Sequence, residues 1–167
     1  EGYGQKVSYL QQDITSPIGD SLVDRQIDTV VHLAYVMRPG RDREAVRRTN
    51  VGGTESILKA CADAGVGRVV YLSSTSAYGA HPDNPTFLIE ESPLRPVKGF
   101  QYAEDKAAAE ALVQEYSRGN TAVPTTILRC CPVMGPNADN YITQAFLKPI
   151  LVAVLGHDPQ WQLIHED

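Results

Sequence analysis

Short apolar runs alternate with longer helix-like segments along this chain. Residues 27–34, 67–72 and 124–130 are rich in β-branched and apolar side chains, which is typical of strands buried on both faces of a parallel sheet. Residues 41–64 repeat their apolar positions at mostly helical spacing, and the alanine-rich residues 100–118 have the pattern of one long helix. The chain is therefore predicted to alternate strands with helices.

Weaker signals lie near both ends of the chain. Residues 6–10 alternate between apolar and polar side chains, which predicts a short strand ending near Asp13. A weak helix is predicted to follow it, because Thr, Ser and Pro form a start signal there. Residues 141–155 predict an apolar helix broken near Pro149, and residues 161–165 predict a short strand.

Strands that alternate with helices imply right-handed crossovers and a mostly parallel sheet with both faces covered. Ligands of such sheets bind beyond the carboxyl ends of the strands. We therefore expect the strand ends to share one crevice: Asp13, Leu33 with Ala34, Ser73 with Ser74, and residues 130–132. The proline-rich segment 79–99 is predicted to be a long surface loop, a type that is usually functional.

Composition excludes several classes of protein. The formal net charge is -5, and no dense cluster of Lys and Arg suggests a nucleic-acid-binding surface. No apolar run has the length of a membrane span and no signal-peptide core is present, so we interpret the chain as a soluble cytoplasmic protein. Cys61, Cys130 and Cys131 have no zinc-binding spacing, so we expect reduced thiols and no metal site.

Tyr102 and Lys106 are four residues apart in the predicted helix, so both side chains project from one face. A phenol has a pKa of about 10, and lowering it by about three units takes roughly 4 kcal/mol. An ammonium about 4 Å away supplies about that much at an effective dielectric of 20. The pair is therefore chemically suited to proton transfer, although two solvated helix residues would give the same pattern.

Several motifs in one order narrow the interpretation. They are Asp13-Ile14, Val31-His32-Leu33-Ala34, Asn50-Val51-Gly52-Gly53-Thr54, Leu72-Ser73-Ser74-Thr75-Ser76-Ala77-Tyr78-Gly79, and Tyr102 and Lys106 followed by Glu110. Together they resemble the extended short-chain dehydrogenase/reductases, and most closely the NAD-dependent epimerase/dehydratase family that acts on nucleotide sugars. The resemblance implies a Rossmann-like doubly wound α/β fold and NAD or NADP as cofactor. It also implies a small-molecule substrate, with nucleotide sugars among the candidates, and a homodimer or oligomer.

The resemblance also implies a role for each motif. Asp13 and Ile14 would contact the adenine end of the dinucleotide, and Leu33 and Ala34 would line its path. Asn50 would brace the site from the helix behind it. These are expectations from the family, because Asp13 could instead cap the following helix and Asn50 could be a surface residue.

The catalytic roles implied by the family fall on three residues. Ser74 would hydrogen-bond the reacting substrate oxygen, with Ser73 beside it in the cofactor site. Tyr102 would transfer the proton at that oxygen, and Lys106 would bind the nicotinamide ribose and lower the tyrosine pKa. The serines could instead be plain turn residues. His32 is interpreted as a core histidine, and the adjacent residues Cys130 and Cys131 as packing residues.

The chain lacks one family motif. No Gly-x-x-Gly-x-x-Gly turn for the pyrophosphate occurs, so the first two strands of the doubly wound sheet are expected to be absent and the chain to be an interior piece. Residues 1–136 would form a partial dinucleotide-binding domain, and 137–167 would begin the substrate-binding region. The strands at 6–10 and 27–34 are then expected either to pair directly or to need another segment between them.

Further departures bear on the reaction. Nucleotide-sugar 4,6-dehydratases have an Asp-Glu pair where this chain has Thr75 and Ser76, so dehydration is disfavoured. Cys131 and Pro132 stand where the family often has an aromatic residue and an amide, which weakens the nucleotide-sugar assignment. The sequence leaves NAD and NADP open. It also leaves open a carbonyl reductase that uses NADPH, or a non-catalytic remnant that kept the fold.

Overall fold

The computed structural model describes residues 6–37, 42–150, 156 and 161–167. The chain divides into two compact units, Glu1–Leu128 and Arg129–Asp167. The predicted functional division at residue 136 concerns cofactor and substrate binding, and it stays a prediction.

The larger of the two sheets has three strands. Its strands are β1 (Thr29–His32), β2 (Arg68–Ser74) and β3 (Thr125–Cys130), in the spatial order β1-β2-β3. β1 and β2 run parallel, with Thr29 opposite Arg68 and His32 opposite Tyr71. The three apolar runs therefore form strands as predicted, and the connection from β1 to β2 is helical as expected for parallel neighbours.

The helices also follow the predicted pattern, with one interruption. They are α1 (Gly19–Asp24), α2 (Arg43–Arg47), α3 (Gly53–Ala64) and α4 (Gln101–Gly119). A π-helical turn, Arg48–Gly52, joins α2 to α3, where the sequence predicts one regular helix. Gly65 closes α3 with φ +67°, which is the left-handed conformation that glycine adopts without strain.

One side of the sheet packs against the helices. Side chains from β2, α3 and α4 form the core, joined by partly buried residues that include Ile18 and Leu22 of the α1 region. Val69 and Tyr71 of β2 are each 1% exposed. Cys61 of α3 is fully buried within this core, and burial raises the pKa of its thiol to about 11. It is therefore a neutral packing residue.

The other side of β1 is open to solvent. Val31 and Leu33 are 56% and 59% exposed, and they alternate with Val30 and His32, which face the helices. The prediction that residues 27–34 are buried on both faces is therefore wrong for the described part of the chain. The reason is that α3 packs on one face of β1, and no described element covers Val31 and Leu33.

Residues 7–13 do not form the predicted strand. They have no regular structure, and Tyr9 is 95% exposed. A strand needs a neighbour for its backbone hydrogen bonds, and no described strand pairs with this segment. Of the two expected alternatives, direct pairing with β1 is therefore wrong, and pairing of β1 with another segment stays a prediction.

The segment between the 3-10 turn Thr75–Tyr78 and α4 is a loop without helix or strand, as predicted. It is held by internal contacts: Asn84 Nδ2 donates to Gly79 O at 2.7 Å, and Arg95 forms an ion pair with Asp83 at 2.9 Å. His81 Nε2 lies 2.6 Å from Arg95 O. The two sides of the loop are thereby joined next to the end of β2.

We expect Gly79→Ala to destabilise the protein by about 1–3 kcal/mol. Gly79 has φ +76°, and an added Cβ would overlap the backbone oxygen of Arg95. Gly99→Ala is the matched control, because Gly99 has φ +88° and a Cβ added there would meet no described atom within 4 Å. Urea unfolding should show a larger loss for Gly79→Ala. Equal losses would mean that the contact with Arg95 contributes nothing.

The second unit contains a small parallel pair, β4 (Val133–Met134) and β5 (Ile164–His165), with Val133 opposite Ile164. β5 lies in the predicted strand 161–165, whereas β4 was not predicted because it has only two residues. α5 (Tyr141–Phe146) begins with an Asn140 capping box and ends before Pro149. Residues 147–150 of that predicted helix form a turn and bends, and residues 151–155 lie outside the described residues. No helix in the described ranges is long and apolar enough to cross a membrane.

Candidate active site

The first turns of α4 place Tyr102 and Lys106 beside the end of β2. Tyr102 is half-buried and Lys106 is 4% exposed. The ammonium of Lys106 donates a hydrogen bond to the backbone oxygen of Leu72 at 2.7 Å. Leu72 lies two residues before Ser74, so this bond fixes α4 next to the segment that carries the predicted catalytic serine.

Two aromatic rings also surround the ammonium. Lys106 Nζ lies 3.9 Å from the ring centroid of Tyr35 and 5.3 Å from that of Tyr71. Both distances are within the range of cation–π attraction. Burial raises the pKa of both phenols, assisted by the negative charge of Asp105 near Tyr35. They are therefore neutral rings beside a buried cation.

The two predicted serines have different environments. Ser74 is buried, and its hydroxyl oxygen accepts a hydrogen bond from the Ser76 amide at 3.2 Å, at the start of the 3-10 turn. That oxygen can still donate through its own hydrogen. Ser73 instead donates to Glu110 of α4 at 2.5 Å. The Ser73 hydroxyl therefore ties β2 to the helix, and its predicted contact with a cofactor stays untested.

Asn50 is 1% exposed, so the surface alternative for this residue is wrong. Its side chain binds the backbone of Val36 twice, accepting from N–H at 2.8 Å and donating to C=O at 3.2 Å. It also donates to Asp105 of α4 at 3.5 Å, and Arg47 donates to the same carboxylate at 2.9 Å. Asn50 thus fastens the segment after β1 to the π-helical turn and to α4.

The residues predicted to contact the rest of the dinucleotide are less tightly grouped. Leu33 and Ala34 are exposed directly after β1. Ile14 packs against α3, where an added Cβ on Gly53 would lie 2.6 Å from Ile14 Cδ1. The structure therefore shows Ile14 as a packing residue, and its predicted contact with adenine is not tested.

Asp13 is exposed and does not lie at a strand end. Its carboxylate accepts hydrogen bonds from both the amide and the hydroxyl of Thr15, each at 2.8 Å. These bonds lower its pKa, the amide contributing most. α1 begins only at Gly19, so the helix-cap alternative is wrong, and Asp13 closes a local turn instead.

His32 is the core histidine that the sequence predicts. It is 4% exposed, and its Nε2 lies 3.0 Å from the hydroxyl of Thr54, which itself donates to Asn50 O at 2.6 Å. Because that hydroxyl hydrogen is used, His32 Nε2 is assigned as the donor. Burial, and secondly the charge of Lys106, lower the pKa of His32 to about 4. The ring is therefore neutral at physiological pH.

Sequence reasoning missed most of the groups that surround Tyr102 and Lys106. In the sequence, Tyr35 only follows the apolar run 27–34 and Tyr71 belongs only to the run 67–72. Asp105 and Arg47 belong only to the charged positions of predicted helices. The signal for Asp105 was its place between Tyr102 and Lys106. No local pattern identifies Arg47, since it reaches Asp105 across 58 positions of sequence.

The residues around α4 have the donors that the nicotinamide end of a dinucleotide requires. An ammonium carries three N–H donors, which suits a ribose diol, and Lys106 Nζ lies at the carboxyl end of a parallel strand, where such sheets bind ligands. The exposed Leu33 and Ala34 end the neighbouring strand. These residues fit that end of the cofactor, whereas no residue is assigned to its pyrophosphate.

Comparison with known proteins supports a single family. An uncharacterized protein of Mycobacterium tuberculosis is 30% identical over 96% of this chain and 44% of its own length. The UDP-glucose 4-epimerase of Lactobacillus helveticus is 31% identical over 97% of this chain and 51% of its own length. The chain thus spans about half the length of these relatives.

A solved structure is also similar to this chain in both sequence and fold. The dTDP-glucose 4,6-dehydratase DesIV of Streptomyces venezuelae, a double mutant with NAD bound, is 33% identical and superposes with a TM-score of 0.62. The match covers 75% of this chain and 38% of that protein. The predicted Rossmann-like α/β fold is therefore confirmed. The model of the NAD dependent epimerase/dehydratase family matches residues 5–161, and the chain belongs to that family.

Proposed function

We propose that this chain carries the reaction centre of an NAD(P)-dependent epimerase or oxidoreductase acting at a hydroxyl or carbonyl carbon of a nucleotide sugar. The observation that carries the proposal is the hydrogen bond from Lys106 Nζ to Leu72 O. It joins the helix that bears Tyr102 to the strand that leads into Ser74. The three residue types needed for proton transfer at an alcohol are therefore supplied by two adjacent elements.

In this proposal Ser74 and Tyr102 hold the reacting oxygen. Ser74 donates its hydroxyl hydrogen to that oxygen while the Ser76 amide fixes the Ser74 oxygen. Tyr102 takes the proton when an alcohol is oxidised and returns it when a carbonyl is reduced. Lys106 keeps a positive charge near the phenol, and the rings of Tyr35 and Tyr71 keep water away from that charge.

Residues at the ends of β1 and on α4 would hold the cofactor. Lys106 and Tyr102 would bind its nicotinamide end, and Leu33 and Ala34 would line its path. Bound NAD or NADP supplies the hydride acceptor and donor. The solved DesIV structure contains NAD, which favours NAD over NADP for this chain.

One relative and the DesIV structure favour a sugar nucleotide as substrate, and the residues after Ser74 favour epimerisation over dehydration. One relative is named as a UDP-glucose 4-epimerase. Thr75 and Ser76 carry neither of the acidic groups associated with 4,6-dehydration. Oxidation at one carbon, rotation of the sugar and reduction on the other face need a nicotinamide cofactor for the hydride and the one proton-transfer group described above. Assembly into a homodimer or oligomer and the cytoplasmic location belong to this proposal and stay predictions.

The test uses the protein as its gene encodes it. With NAD+, we expect it to interconvert UDP-glucose and UDP-galactose without losing water, as followed by chromatography and mass spectrometry. Loss of water would instead identify a dehydratase. Oxidation of NADPH with a small ketone or aldehyde, and no reaction of either sugar nucleotide, would identify the alternative carbonyl reductase.

A further inference from the structure

The geometry points to Tyr35 as a positioning residue that holds Tyr102 and Lys106 in their working arrangement, an inference that rests on the proposed function. Tyr35 is the third residue after β1, in the segment that the family motif does not assign. Its side chain contacts both members of the pair. Both lie more than sixty positions further along the chain, so the contacts depend on the fold.

The first contact is with the cation. Lys106 Nζ lies 3.9 Å from the centroid of the Tyr35 ring, closer than to the ring of Tyr71 at 5.3 Å. The same ammonium donates to Leu72 O. A charged group on a long flexible side chain is thereby held by a ring and a carbonyl oxygen. Removing the Tyr35 ring would let the ammonium change direction.

The second contact is with the proton-transfer residue itself. Tyr35 Oη donates to the backbone oxygen of Tyr102 at 3.0 Å, and the two rings meet edge to face at 5.5 Å and 80°. Because burial raises the pKa of Tyr35, its phenol keeps the hydrogen that this bond needs. One side chain therefore contacts both the first turn of α4 and the Tyr102 ring, which Phe100 also contacts at 5.8 Å between centroids.

The backbone next to Tyr35 is itself held by hydrogen bonds. Asn50 binds both backbone groups of the next residue, Val36, and Asn50 is linked to Asp105 of α4. Arg47 completes the arrangement through its 2.9 Å ion pair with Asp105. The backbone on one side of Tyr35 is thus fixed to the same helix that its ring contacts. These contacts together fix α4 relative to the segment after β1.

Two variants separate the hydroxyl of Tyr35 from its ring. Tyr35→Phe keeps the ring and removes the hydroxyl, with its bond to Tyr102 O and its interaction with the Asn50 side chain, and should slow turnover about 3-fold. Tyr35→Leu also removes the ring over the ammonium and should slow kcat about 30-fold with little change in KM. The acidic limb of its pH–rate profile should move to higher pH, since the cation no longer sits in a fixed place near the phenol. Tyr9→Leu is the control, because Tyr9 is 95% exposed.

A readout that does not depend on activity is the NMR signal of Lys106. The chain has five lysines, at positions 6, 59, 98, 106 and 148, and Lys106→Arg identifies the signal. In 13C-lysine-labelled protein the Lys106 side-chain resonances should be displaced by the Tyr35 ring. They should keep that position in Tyr35→Phe and approach those of exposed lysines in Tyr35→Leu.

The outcomes distinguish this inference from the proposed function. If Tyr102→Phe keeps its activity, the proposed function fails, whatever the Tyr35 variants show. If Tyr102→Phe is inactive but Tyr35→Leu keeps the wild-type pH profile and Lys106 resonances, the positioning role is overturned. If Tyr35→Leu does not fold, Tyr35→Phe decides alone, and wild-type turnover by that variant would contradict the link to Tyr102.

Discussion

Tyr102→Phe should lower turnover by roughly 10² to 10⁴-fold, the usual contribution of a positioned proton-transfer group. The substitution removes one oxygen and keeps the ring, so its edge contact with Tyr35 at 5.5 Å should persist. The helix position should persist too, because Lys106 still binds Leu72 O. The measurement is the steady-state rate of sugar-nucleotide interconversion, with circular dichroism to show that the fold is unchanged.

The matched control for this substitution is Tyr9→Phe, which removes the same atom from a tyrosine that is 95% exposed. It should leave the rate unchanged. Binding of NAD+, measured by calorimetry, should change much less than turnover in Tyr102→Phe, since Lys106 keeps its donors. A rate for Tyr102→Phe within a few-fold of wild type would contradict the assigned role.

Stability should fall by about 3 kcal/mol as the pH decreases from 6.5 towards 4, because of His32 alone. Burial and the nearby charge of Lys106 lower the pKa of His32 to about 4 in the folded protein, against an ordinary value of 6.5. Between these pH values the unfolded chain binds a proton that the folded chain does not. The contribution is therefore fully present above pH 6.5 and is lost as the pH falls.

The test measures the free energy of unfolding by urea for the wild type and for His32→Phe at several pH values between 5 and 6.5. This range lies above the ordinary pKa of exposed carboxylates. His32→Phe keeps a ring next to Tyr71, whose centroid lies 5.5 Å from that of His32, and should make stability nearly independent of pH in this range. His165→Phe is the control, because its side chain is 59% exposed. An unchanged slope in His32→Phe would show that another group causes the pH dependence.

The elements that the sequence predicts correctly are those whose signal is local. The apolar run 27–34 contains β1, and the alanine-rich segment 100–118 matches α4 closely, because burial and helix propensity act on neighbouring residues. Residues 6–10 carry the same alternation as a strand but form none. A strand depends on a partner elsewhere, and alternation alone does not show whether one is present.

In the candidate site, too, local features could be predicted and contacts between distant segments could not. The spacing of Tyr102 and Lys106 places both on one helix face, whereas the role of Ser74 beside them is implied by the family and stays a prediction. The contacts of Tyr35 could not be predicted, since they depend on how the segment after β1 returns towards α4. The π-helical turn at Arg48–Gly52 was also missed, because its Asn50 is turned inward by tertiary hydrogen bonds rather than by local propensity.

The most direct test of the central claim is to run the interconversion of UDP-glucose and UDP-galactose in D2O with NAD+ and to analyse the product by mass spectrometry and NMR. Hydride transfer returns the original hydrogen to the reacting carbon, while Tyr102 exchanges only the proton on oxygen. The account therefore predicts a product without solvent deuterium on carbon. Deuterium at the inverted carbon would contradict it and would indicate proton abstraction from that carbon instead.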